Sequence, residues 1–400
     1  MHKFINNLTT SKAVVTILIV YFIYAIIFCN YMFPCVDSFY YWEWSQHLQL
    51  SYFDGPPMIA YTIRLLTSIF GNSVFTLNLL GVLYIYITGF LVYKIANKLE
   101  KSVGLIALCL WILYPFVTTR YILLNVTYDG LECIWVLAII YTVMLYLETK
   151  SPKWIYLIGI LSGLLLLSKY SGIILLLGLL LFFIINPKER QIFKSIHIYI
   201  AMGICSLIFS QVIVWNSLNH WTSFHYQLTT HLWNHDNLGH RSNVVLPDKF
   251  GLTGVIFYLW NAFFGTLHIL ILFMAYVLFV KKPGITNLPS KLKLLIHLFI
   301  VYFIFWLSIS WVAHVSMSYM ICPSAILIIL VSYYLKQYNL QKALGFVALI
   351  FLIINFIMVF NTTKSNKVLN QVCYVTPTSP TGNCYTSFIK NHRLKYYYHQ

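Results

Sequence analysis

A chain of 400 residues that is 60% hydrophobic and only 9% charged, with a mean hydropathy of +0.77, is excluded from ordinary soluble domains and reads as a polytopic membrane protein. Its formal net charge of +16 is divided among small basic clusters between apolar runs. That is how loops look under the positive-inside rule, and it argues against the single basic face of a nucleic-acid-binding domain. The eight cysteines form no CxxC pair, so neither a zinc ribbon nor a dithiol redox site is expected.

In chain order, the first apolar run, 13–33, is near spanning length with no small-residue cleavage site after it, and reads as a retained first span. Segment 34–72 follows, too long for a turn. It contains DSFYYWEWSQHLQLSYFDGPPM (37–58), which gathers Asp37, Glu43 and Asp54 among aromatics in an acid-poor chain. Further spans are expected at 73–93, 103–118, 129–147, 154–168, 171–186 and 196–214. The fifth and sixth are separated only by SKYSG and form either a tight helical hairpin or one broken helix. Segment 215–250 again mixes aromatics with polar residues, as helices lying in the membrane interface do. Runs 252–280, 295–312, 318–335 and 343–360 bring the expectation to about eleven spans. The fold class is thus an all-α integral membrane bundle over 1–360, with interfacial helices in 34–72 and 215–250 and a short tail at 361–400. Cys373 and Cys384 flank a polar loop in that tail and are a candidate disulfide if it lies outside the cytoplasm.

With the N-terminus inside, the loop basic residues concentrate on the cytoplasmic side. Asp37, Glu43, Asp54, Asp129, Glu132, Asp236 and Asp248 then fall on or near the outer face, which points to a working surface there. Asp37 directly follows the first span. A carboxylate beside lipid and aromatic rings suits a general base, and a solvated juxtamembrane acid is the plain alternative. Asp129 opens the fourth span with Glu132 one turn deeper; an acid at such a boundary is a functional candidate, and helix capping by Thr127 or Asp129 is compatible with that. Lys169, inside LLLLSKYSGIILLLG, must snorkel, pair with an acid or bind an anion. Arg64, Arg120 and Arg241 are the other outer basic groups near spans, able to build a phosphate site with Lys169 or to contact headgroups. Of the outer histidines, His231 and His235 have i,i+4 spacing. With no HExxH and no acid at a matching offset, interfacial hydrogen bonding is the better reading and no metal is expected. No nucleotide-binding glycine motif is present.

The motifs, in their order, resemble the bacterial GT-C glycosyltransferases that include lipid A aminoarabinose transferases and protein O-mannosyltransferase-like enzymes. DSFYYWEWSQHLQLSYFDGPPM is similar to that family's DEAYYWxWSxxLxxGYFDHPPM. Thr127 and Asp129 match its TxDxxL, LSKYSG its LSKYTA, and QVIVWNSLNHWTSFHYQ (211–227) its PVLxWNxxxxWxSFxFQ. Beyond about residue 230 the likeness fades, to AHVSMSYM at 313–320. The resemblance implies a GT-C-type bundle in the bacterial inner membrane with its active site facing the periplasm. It implies a polyprenyl-phosphate sugar as donor, a lipid, glycan or protein acceptor, no cofactor, and inversion by single displacement. It also implies Asp37 and Asp129 as catalytic acids and Lys169 near the donor phosphate. Tyr40, Tyr52, Asp54, Pro56, Pro57, Glu132, Trp215 and Asn216 are then positioning residues, with Pro56 and Pro57 starting a helix at 58–70. Two positions depart from the family: Ser38 replaces a Glu, and Gly55 stands where relatives carry a His or Lys that contacts phosphate. Two other readings compete. A flippase for a lipid-linked saccharide would need internal repeats and polar groups at mid-membrane depth; an inactive GT-C relative is suggested by Ser38 and Gly55.

Overall fold

The computed structural model describes residues 36–114, 116–117, 126–231, 251–262, 268–281, 288–313 and 315–340, with scattered positions between 15 and 26. Most of the expected spans 13–33 and 343–360, the tail and its two cysteines lie outside the described residues. Among those described the chain is helical, and its one β feature is an isolated antiparallel bridge between Tyr52 and Gly55.

Two short helices, α1 (Val36–Gln46) and α2 (Met58–Phe70), bracket the loop that carries YFDGPP. Helix α2 begins at the residue expected: Pro57 sits in the capping position with φ −86°, and its carbonyl accepts from Tyr61 N at 3.2 Å. Ile59, Ala60, Ile63 and Thr67 face inward while Leu65, Ile69 and Phe70 are exposed, as in a helix with one face to protein and one to lipid.

The bundle follows: α3 (Val74–Leu99), α4 (Val103–Leu113), α5 (Tyr128–Thr149), α6 (Pro152–Ser168), α7 (Ile173–Ile185) and α8 (Ile196–Leu218). After them come α9 (Leu252–Trp260), α10 (His268–Tyr276), α11 (Ser290–Ile309) and α12 (Ile321–Gln337). The expected span 252–280 is therefore described in two pieces. Local chemistry sets several starts: Ser73 caps α3 by accepting from Thr76 N at 3.1 Å, and Pro152 opens α6, where its missing N–H has no intrahelical partner to lose. Five stretches among the described residues are long and apolar enough to cross a membrane: Val74–Leu99, Tyr128–Thr149, Ile196–Leu218, Ser290–Ile309 and Met317–Gln337.

Helix α12 is the most enclosed of these and packs among α4, α5, α3 and α11, while α8 lies at the periphery against α6. A Cβ on Gly159 of α6 would come within 2.5 Å of the Ala201 carbonyl oxygen on α8, so glycine is what lets those two backbones touch. Between α3 and α4, Trp111 Nε1 donates to Thr88 Oγ1 at 3.1 Å, satisfying an indole deep in the core.

Charged residues mark the two ends of the bundle. Glu148, at the end of α5, receives both Lys98 and Lys291, and Lys150 pairs with Glu189. Lys150 precedes α6 and Glu189 follows α7, so these two helices run antiparallel: SKYSG is the turn of a hairpin, the first of the two arrangements its sequence allowed. That hairpin and the descent of α5 bring Asp129 and Lys169 together at the opposite end.

Candidate active site

At the N-terminal end of α5, Asp129 and Glu132 point inward, 6% and 4% exposed. Three and four residues are the spacings that share a helix face, so both carboxylates meet one partner. That partner is Lys169, which leaves the end of α6 in an extended conformation and donates to Asp129 Oδ1, with Glu132 Oε2 at 3.6 Å. Its ammonium also lies 4.2 Å from the centre of the Tyr319 ring. Ser171, two residues beyond Lys169, donates to Glu132 Oε1 at 2.7 Å. Burying charges at this depth is tolerable only because each is paired and hydrogen-bonded. Of the three fates the sequence left open for Lys169, the geometry takes pairing with acids. Thr127 occupies the capping position of α5 but makes no side-chain cap, and the Asp129 carboxylate is spent on Lys169, so capping is not what either residue does.

The YFDGPP loop lies over this cluster. Tyr52 N donates to Gly55 O at 3.0 Å and Gly55 N to Tyr52 O at 3.3 Å, closing a tight bridge around Phe53 and Asp54. Tyr52 stacks on Trp44 of α1 with ring centres 4.1 Å apart, and its hydroxyl lies 2.9 Å from Trp44 O and 3.1 Å from His47 O while accepting from Gln49 N at 3.1 Å. Burial pushes its phenol up to about 12, so it stays a neutral hydroxyl. Asp54 is half-buried and Pro56 and Pro57 are buried.

The last turn of α8 and the segment after it clasp the loop from the other side. Trp215 Nε1 donates to Gln49 Oε1 at 2.9 Å, and Gln227 Nε2 donates to Asp54 O at 2.6 Å with Asp54 Oδ1 at 3.3 Å. The Phe53 and Tyr226 rings are 4.4 Å apart. Asn216 is fully buried and organises the turn that makes this possible: its Nδ2 donates to Val212 O, its Oδ1 accepts from Phe224 N at 3.3 Å and its carbonyl accepts from Trp221 N at 2.8 Å. Tyr170 ties the layers together through Ser223 Oγ at 2.9 Å and Ser51 Oγ at 3.5 Å.

Asp37 lies in the first turn of α1 and is exposed. It nonetheless belongs to the same cluster. Burial raises the Tyr41 phenol well above its usual value, helped by Tyr128 and by the carboxylates of Asp54, Asp37 and Asp129 around it. Tyr40 packs on Trp44 at 5.0 Å. Ser38, one of the two departures, is buried and accepts from Val126 N at 3.1 Å, which fastens α1 to the approach of α5. Arg64 is exposed on α2. Arg120, Arg241 and the side chains of His231 and His235 lie outside the described residues. The sequence reading missed Tyr319, Tyr128, Ser171 and Gln227. Ser171 and Gln227 stood inside quoted motifs, and Tyr319 inside AHVSMSYM, where the likeness was weakest.

This is a GT-C-type fold in a multi-pass membrane protein, with a cluster of acids and one lysine at one end of the bundle under an interfacial loop. Residues 54–215 match the family model described as dolichyl-phosphate-mannose-protein mannosyltransferase. The lipid A galacturonosyltransferase RgtD of Rhizobium johnstonii is 24% identical over 238 residues, which is 57% of this chain and 49% of RgtD. Among solved structures, ArnT from Cupriavidus metallidurans bound to undecaprenyl phosphate superposes with a TM-score of 0.60 at 12% identity, over 82% of this chain and 61% of ArnT. The oligosaccharyltransferase AglB from Archaeoglobus fulgidus, in complex with an inhibitory peptide and a dolichol-phosphate, gives a TM-score of 0.53 at 13% identity, over 95% of this chain and 60% of AglB. The chain spans about half the length of RgtD and about three fifths of ArnT and AglB. The likeness to bacterial GT-C proteins read from the motifs is borne out in both sequence and fold.

Proposed function

We propose that this chain is a membrane glycosyltransferase that takes a sugar from a polyprenyl-phosphate donor and places it on a lipid, glycan or protein acceptor at the periplasmic side of a bacterial inner membrane. The observation that carries the reading is the convergence of Asp54, Asp129, Glu132 and Lys169 at one end of the bundle, beneath the bridged loop and beside the exposed Asp37. That arrangement sets an exposed acid beside a buried one that is paired with Lys169. Asp37 accepts the proton of the acceptor hydroxyl as its oxygen forms a bond to the anomeric carbon. The carbon–oxygen bond to phosphate breaks on the opposite face, giving inversion, and the negative charge passes to the polyprenyl phosphate. That leaving group needs no proton, so neutralisation matters more than acid catalysis. Lys169 is the cation held nearest, kept in register by Asp129 and Glu132, with Arg120 and Arg241 as further phosphate ligands.

The test is transfer of label from a panel of radiolabelled polyprenyl-phosphate sugars to membrane extract by the purified chain, beside Asp37→Asn. A well-folded wild type that moves label, with the variant reduced by about 100-fold or more, is the expected outcome. Equal transfer by both overturns the role of Asp37, and no transfer by wild type from any donor favours an inactive relative.

A further inference from the structure

Tyr128 opens α5 beside Asp129, and it is 9% exposed with its hydroxyl oxygen buried and without a hydrogen-bond partner among the described residues. Its neighbour Thr127, 8% exposed, likewise has a buried and unpartnered hydroxyl. A buried hydroxyl left unpaired is costly, and a bound group that completes it is one way that cost is met. The Tyr128 ring cannot swing away to find water, because it lies against Tyr41 with ring centres 4.7 Å apart and near Trp44 at 6.3 Å.

The hydroxyl is aimed at Gly55. A Cβ at that position would lie 2.8 Å from Tyr128 Oη and 3.2 Å from Cζ. Gly55 cannot retreat, since it is held by the bridge to Tyr52 and by Ser51 Oγ, which donates to its carbonyl at 3.2 Å. Position 55 is therefore small because the phenol occupies its side-chain space.

The charges around this point decide what would bind. The Tyr41 ring packs against Tyr128, the Asp54 carboxylate and the Tyr40, Tyr170 and Tyr52 phenols also act on it, and the Lys169 ammonium is shared between Asp129 and Glu132. Carboxylates only accept hydrogen bonds, so an anion that Lys169 neutralises here needs hydroxyl donors beside the ammonium. The Tyr128 hydroxyl is such a donor, carried by the first residue of a 22-residue helix, at its positive end.

We infer that the Tyr128 hydroxyl donates a hydrogen bond to a phosphate oxygen of the lipid-linked donor, and that Gly55 is required to make room for it. The inference rests on the glycosyltransferase reading for the identity of the ligand, and its test is chosen to separate the two. The purified full chain in detergent is titrated with undecaprenyl monophosphate and followed by thermal stabilisation, alongside Tyr128→Phe and Gly55→Ala, alone and combined. Tyr128→Phe keeps the ring and removes only the donor. Its melting temperature without lipid should match wild type, and the lipid concentration for half-maximal stabilisation should rise about 10- to 100-fold, as for a lost bond to a charged group. Gly55→Ala should weaken binding in the wild-type background and add little in Tyr128→Phe. Unchanged lipid stabilisation of Tyr128→Phe overturns the phosphate contact, as does a wild type that the lipid does not stabilise. An equal cost of Gly55→Ala in both backgrounds overturns the role of Gly55. If wild type binds the lipid through Tyr128 yet transfers no sugar, the transferase reading falls and the phosphate site stands.

Discussion

Lys169 carries more of the site than any other single residue, because two buried carboxylates depend on it. Replacing it with Met would leave Asp129 and Glu132 side by side without a counter-charge, and the expected loss is about 3–5 kcal/mol of stability. Thermal denaturation in detergent checks this, and Asp129→Asn introduced with Lys169→Met should recover part of the loss. Asp129, Glu132 and Lys169 were each legible in the sequence because an ionisable group within an apolar run is conspicuous. The aromatic partners were not: among 31 tyrosines, nothing local distinguishes Tyr319 or Tyr128 from the rest. Their roles come from what lies across a helix boundary, the ammonium 4.2 Å from the Tyr319 ring centre and the backbone of Gly55.

The loop between α1 and α2 acts as an element clasped by the segment that follows α8. Gln227→Ala removes the bonds to Asp54 and should raise KM for the donor several-fold while leaving the melting temperature near wild type, since the pair is only part-buried. Steady-state kinetics over a range of donor concentration distinguishes this from a loss of kcat. Tyr52 offers a test of pH dependence. Its folded-state value of about 12 lies above the ordinary 10.0, so the stability its neutral hydroxyl contributes is complete below pH 10 and is lost as pH rises through 12. The difference in melting temperature between wild type and Tyr52→Phe should therefore narrow over that interval. The start of α2 after the proline pair was legible because proline's fixed φ suits a helix beginning. That the loop comes to lie against residues 215–227 was not legible from propensity. The motif at 211–227 marked the segment without saying what it touches.

At the scale of the whole molecule, the ion pairs among the described residues lie at the two ends of the bundle, and the ends differ in kind. The Lys98–Glu148–Lys291 group is about a quarter exposed, whereas Asp129 and Glu132 are almost fully covered. Glu148→Ala should accordingly cost only about 1 kcal/mol, and its effect should shrink in high salt, while the cost of Lys169→Met should hardly change. Melting curves at low and high ionic strength compare the two directly. The sequence by itself determined that the chain is a helical membrane protein, and that acids gather towards one face. Hydropathy and charge suffice for that, because a span must hide its backbone and expose apolar side chains whatever its neighbours are. Only the tertiary structure decided which charges neutralise one another, that SKYSG is a hairpin turn, and that Gly55 yields its space to Tyr128. Those outcomes depend on contacts between residues far apart in the chain, as in Lys150 with Glu189, 39 positions apart, or Lys169 with Asp129, 40 apart, and no local pattern encodes such a meeting.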